Sequence, residues 1–199
     1  MAVISNGTTL IDNGTLDAAI PSGAMTLLST QTASASATIS FTSGIDSTYD
    51  SYVFKCINIH PATDGAKFQV NFRDGDTAYD AVKTSTAFSA YHTEAASSGF
   101  GYLTGYDLAQ STGVQQIDQN SGNDNDQNFC AELKLFSPSS TTFVKHYIVR
   151  SVANAASDAE TDMYVAGYCN VTAAIDGVQF SFSSGNIDSG VIKLYGIGA

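Results

Sequence analysis

At 199 residues, with a net charge of −11 and only 8 lysines and arginines, the chain lacks the basic residues that displace counterions from phosphates, so no nucleic-acid partner is expected. The same field opposes an anionic membrane, and no run approaches the roughly 20 apolar residues of a spanning helix; membrane insertion is not expected either. One domain of this size buries about 70% of its unfolded surface, and a wealth of Ser, Thr, Gly and Asn over long charged residues disfavours helix.

The first stretch carries a short repeat: ISNGTTL (4–10) is followed at once by IDNGTLD (11–17), aligning Ile4 with Ile11 and Asn6 with Asn13. Asn-Gly suits tight turns. Residues 1–24 read either as two surface turns of a frayed terminus or as an extended anchoring arm, able to reach roughly 80 Å if fully drawn out; the arm is the reading taken forward, with Ile4, Asn6, Ile11 and Asn13 as its contact residues. It has neither the basic region nor the apolar stretch of a secretion signal.

From Met25 the pattern has a period of two. TLLSTQ and SATISF read as strands. In DSYVFKCINIH, Tyr52, Phe54 and Cys56 share one face, with Val53, Lys55 and Ile57 on the other. AKFQVNFR places Phe68, Val70 and Phe72 inward and Gln69, Asn71 and Arg73 outward. NFCAELKLF turns Phe129, Leu133 and Leu135 inward and Glu132 and Lys134 outward. TTFVKHYIVR, DMYVAGYCNV, GVQFSFSS and GVIKLYGIG complete the set, and the last two read as an antiparallel return through Gly185–Gly190. The region at about 74–128 reads as a loop-rich insertion, with TEAASSGF and YDLAQST as weak helical hints. Many short strands separated by turn chemistry predict an all-β antiparallel β-sandwich, jelly-roll-like, over 25–199.

No catalytic signature appears: there is no G-x-S-x-G elbow, Walker lysine loop or H-E-x-x-H helix, and no enzymatic activity is expected. Asp76, Asp80, Asp107 and Asp118 are carboxylates that a glycosidase would have to pair at about 5–9.5 Å. Cys56, Cys130 and Cys169 are an odd number at wide spacing, without a disulfide framework or zinc motif. No bound cofactor is expected. Asp124, Asp126 and Asn128 fall at alternate positions, as at the start of a calcium loop, but Phe129 stands where the sharp turn needs glycine; any calcium would be held weakly, of order 10⁻⁴–10⁻³ M. The most suggestive group is Tyr91, His92, Phe100, Tyr102 and Tyr106, rings set among Ser and Gly. Tyr gives large contact area with few rotatable bonds, as recognition surfaces require, and rings beside Asp and Asn suit stacking on sugars.

ISNGTTLIDNG, YVFKCINIHPATDGAKFQVNF, AYHTE, FSPSSTTFVKHYIV and SSGNIDSGVIKLYGIG together resemble a family of short virion structural proteins of marine and cyanobacterial tailed bacteriophages. The resemblance spans nearly the whole chain and implies a homotrimeric β-sandwich on the virion surface, made in the host cytoplasm and released by lysis. It implies no catalytic residues. The expected role is a tail-fibre or receptor-binding subunit that meets a host-surface glycan through the Tyr-bearing loops and other virion proteins through the arm. The alternatives are a capsid decoration or head-fibre protein and, less favoured, a glycan-cleaving enzyme.

Overall fold

The computed structural model describes residues 25–198 and, before them, the strands β1 (Val3–Ser5), β2 (Thr8–Asp12) and β3 (Thr15–Leu16). These three pair antiparallel with one another, Ile4 opposite Thr9 and Ile11 opposite Leu16. These strands fall within the stretch that reads as an anchoring arm. Ile4 is exposed; Asn6 and Asn13 lie outside the described residues.

The remaining strands are β4 (Thr26–Ser36), β5 (Ile39–Phe41), β6 (Ser51–Pro61), β7 (Phe68–Arg73), β8 (Lys83–Thr93), β9 (Ser98–Tyr102), β10 (Gln115–Gln116), β11 (Phe129–Phe136), β12 (Lys145–Ala155), β13 (Ala159–Cys169), β14 (Gly177–Phe182) and β15 (Ile187–Ile197). They form two antiparallel sheets, an eight-stranded one in the order β4-β15-β6-β11-β12-β13-β8-β9 and a four-stranded one in the order β10-β7-β14-β5. The chain is an all-β sandwich, as its alternating pattern predicts. Among the described residues no helix is long and apolar enough to cross a membrane.

The core is a layer of rings between the sheets. Phe180 and Phe68 of the small sheet stack at 5.7 Å, and Phe180 also meets Phe54 of the large sheet at 5.6 Å. Phe41 closes edge-on against Phe54 at 5.2 Å, Phe68 reaches Phe129 at 4.9 Å, and Phe72 reaches Tyr147 at 4.9 Å. All these rings are buried. The Tyr147 hydroxyl donates to Gln115 Oε1 at 3.0 Å, so the polar atom of that core ring is satisfied.

Several local expectations are corrected. β4 runs on to Ser36, the first residue of SATISF, and the rest of that segment forms β5 over Ile39–Phe41, because the chain leaves the large sheet for the small one in between. β14 and β15 do not pair with each other: they lie in different sheets. β15 is flanked by β4 and β6, so the final strand is interior. Gly190, at φ +123°, sits where β15 crosses Asn58 and Ile59; a Cβ there would lie 2.7 Å from the Asn58 carbonyl oxygen. Hence the glycine in SSGNIDSG is required by a close backbone approach.

The region read as a loop-rich insertion supplies β8, β9 and β10, and the two helical hints are extended or turn segments. The inward residues of β8 are Lys83, Ser85, Ala87 and Ser89, all buried. Small and polar side chains on the buried face hide the alternation that an apolar scan detects. Asn71, read as outward, is buried as well, with its amide donating to the Thr112 carbonyl at 3.3 Å. Gln69 is likewise buried.

Phe180 touches rings of both sheets, so Phe180→Ala is expected to cost about 3–5 kcal/mol. The check is a urea titration, which should show a lower midpoint with a single transition.

Candidate functional site

The inner face of the large sheet is consumed by the core, which leaves its outer face for other work. Cross-strand register lines up one row across seven strands there: Lys193, Lys55, Glu132, Arg150, Tyr164, Phe88 and Tyr102. Along this row the chemistry changes from charged to aromatic. Lys55 and Glu132 pair at 3.5 Å, across an exposed surface where such pairs contribute little to stability.

The aromatic end is the more ordered. Tyr164 and Phe88 stack nearly parallel at 5.0 Å, and Phe100, one row over, meets Phe88 edge-on at 5.7 Å. Phe100 is 76% exposed and Tyr102 52%. Such exposure, on rings already aligned by their strands, leaves apolar faces open to a ligand. The Arg150 guanidinium lies 5.3 Å from the Tyr164 ring centre. It is held there by a two-point contact with Asp162, Nε to Oδ1 at 3.2 Å and Nη2 to Oδ2 at 3.0 Å, a geometry that suits the planar fork of arginine. The Tyr164 hydroxyl donates to the same Asp162 carboxylate at 3.3 Å. Beside this cluster, Phe88, Ile148, Arg150 and Tyr164 line a groove of about 320 Å³. A second, of about 580 Å³, runs along Lys55, Ile57, Glu132 and Val152.

At the rim, Tyr102 donates its hydroxyl to Asp107 Oδ2 at 2.7 Å, while the Gly105 amide donates to Asp107 Oδ1 at 3.1 Å. The Tyr102 hydrogen bond and then the Gly105 amide hold the Asp107 carboxyl below the ordinary carboxylate range. That same bond, followed by burial, raises the Tyr102 phenol. Two rows from Tyr102, opposite His92, Glu160 is raised, first by burial and then by the Asp162 charge.

Of the five ring residues singled out in the sequence, His92, Phe100 and Tyr102 share this outer face. Tyr91 faces the other side of β8, its ring over Gly99, where a Cβ would come within 2.6 Å of it. Tyr106 packs against the core, donates its hydroxyl to the Gln119 carbonyl at 3.3 Å and lies under the Lys67 ammonium. The site gains Phe88, Arg150 and Tyr164, which the sequence reading passed over. The available signal was alternation: with Met163 and Val165 inward, Tyr164 must point outward.

Asp124, Asp126 and Asn128 lie in a turn in which the Gln127 amide donates to the Asp124 carbonyl at 2.9 Å and Gln127 Oε1 accepts from the Asp124 amide at 3.2 Å. The tightest carboxylate group among the described residues is elsewhere: Asp74, Asp76 and Asp80, with oxygens within 4.8 Å of one another. Nothing beside those three points to a bound ion. Asp118 is buried and accepts from the Ser121 hydroxyl at 2.6 Å and from the Ser121 and Phe68 amides, so it braces a loop under β7. Burial raises its pKa, against the pull of these donors.

Flat open rings flanked by fixed donors and acceptors can bind a ligand with an apolar face and polar edges. Removing the Tyr102 hydroxyl should release Asp107: in Tyr102→Phe its carboxyl is expected to titrate at higher pH than in the parent. In the parent, the contact that this depressed pKa reports is fully present above the ordinary carboxylate value and is lost as the pH falls through the lower folded value. Carbon-detected NMR titration of Asp107 provides the check. No protein-family model, curated protein or solved structure matches the chain.

Proposed function

We propose that this chain is a surface subunit of a tailed-phage virion, a tail-fibre or receptor-binding protein that attaches the particle to a host-surface glycan. The observation that carries the reading is the Tyr164–Phe88 stack, extended by Phe100 and Tyr102 and flanked by the Arg150–Asp162 pair. Sugar rings present one apolar face and a rim of hydroxyls, and this surface offers ring faces beside a guanidinium and carboxylates. The stretches that resemble phage virion proteins support the virion setting. In this reading the protein acts by binding, without turnover, and the N-terminal arm, which carries β1, β2 and β3, joins it to other virion proteins.

The alternative role, capsid decoration, draws support from Ile57, Ile148 and Val152, all exposed on the same outer face. Apolar residues in the middle of a sheet face suit contact with another subunit. The two roles predict different losses on mutation.

In the glycan-binding role, Phe100→Ala combined with Tyr102→Ala is expected to weaken binding of the purified protein to host cells by about tenfold or more, since each stacked ring contributes roughly 0.5–1.5 kcal/mol. The melting temperature should stay unchanged, because both rings are largely exposed. Unaltered cell binding would overturn the glycan reading. The subunit is further expected to assemble as a homotrimer, and light scattering should return three chain masses; a monomer at working concentration counts against it.

A further inference from the structure

Two lysines, Lys83 and Lys145, are fully buried, and among the described residues neither makes an ion pair with a carboxylate. Both are register partners of Cys169 on the inner face of the large sheet, Lys145 on β12 and Lys83 on β8. Burying an ammonium without a counter-charge is costly. Lys145 meets that cost with two backbone carbonyls, those of Val171 at 2.6 Å and Ser140 at 3.2 Å. Lys83 does something else. Its Nζ lies 2.6 Å from the Ala81 carbonyl and 2.5 Å from Oδ1 of the Asn71 carboxamide, on β7 of the opposite sheet.

That carboxamide is held at three points. The Phe72 amide donates to Oδ1 at 3.1 Å, where it would stabilise negative charge growing on the oxygen. Nδ2 donates to the Thr112 carbonyl at 3.3 Å, which fixes the nitrogen on the side away from the amine. Lys83 Nζ is thus in direct hydrogen-bond contact with the carboxamide whose carbon it would attack. Burial pushes the Lys83 ammonium down to about 8, against the opposing pull of Cys169, Asp80 and Asp74. A neutral amine, the nucleophilic form, is therefore accessible near neutral pH.

We propose that Lys83 and Asn71 join in an intramolecular isopeptide bond that ties β7 of the small sheet to β8 of the large one. The Nζ lone pair forms a bond to Cγ and the Cγ–Nδ2 bond breaks. The proton lost by Nζ passes to Nδ2, which departs as ammonia; no oxidant or further reactant is consumed. Among the described residues Lys145 Nζ meets only the Ser140 and Val171 carbonyls, and it stays a free amine. The inference is independent of the glycan reading, since neither residue lies on the outer face.

Mass spectrometry of the denatured, trypsin-digested wild-type protein provides the test. Trypsin cannot cut after an acylated lysine. The expected product is therefore a branched species, Phe68–Arg73 joined to Asp74–Lys134, lighter than the sum of its parts by one ammonia. Lys83→Met should yield Phe68–Arg73 as a separate peptide. Complete cleavage after Lys83 in the wild-type protein, with Phe68–Arg73 free, overturns the proposal. So does a whole-chain loss of ammonia that maps only to Asn6-Gly7 or Asn13-Gly14, where a succinimide would produce the same mass.

Discussion

The structure depends on one layer of phenylalanine rings between two sheets of unequal width. Phe180 and Phe68 come from the small sheet, Phe54 and Phe129 from the large one, and each ring meets another across the gap at about the spacing that edge and offset contacts favour. Without this layer neither sheet has a partner for its apolar face. The small sheet covers only part of the large one, so the strands beyond it complete their inner face with small residues, Ser85, Ala87 and Ser89 on β8.

This unequal pairing positions the candidate site. An eight-stranded sheet has one face in the core and one outside, and strict alternation sends every second residue to the outer surface. Charged residues occupy the middle of that surface and rings its β8–β9 end. The rings are preorganised by backbone pairing, so little conformational entropy remains to be lost when a ligand settles on them. The Arg150–Asp162–Tyr164 contacts add fixed direction to an otherwise apolar platform.

The buried lysines show a different use of the same architecture. Where the chain passes from β7 to β8 it changes sheets, and it brings an amine from one sheet against a carboxamide from the other. A side chain with an ordinary surface residue's composition becomes a cross-sheet contact because the second face of β7 is covered.

Much of the fold was legible because a strand's period of two is a local property. Phe68, Val70 and Phe72, and likewise Phe129, Leu133 and Leu135, announced both their strands and their buried faces. β8 and β9 were not legible, since Lys83, Ser85 and Ser89 fill an inner face without apolar periodicity. Of the site, Phe100, Tyr102 and His92 could be selected by composition, but Tyr91 and Tyr106 could not be separated from them: facing depends on register. Phe88, Arg150 and Tyr164 sit far apart in sequence and meet only because β12, β13 and β8 are neighbours. By itself the sequence determined an acidic, all-β sandwich, through charge and alternation, which each segment carries alone. Strand order, the sheet to which each strand belongs, and the meeting of Lys83 with Asn71 were decided by tertiary structure, because they depend on which faces must be buried against each other.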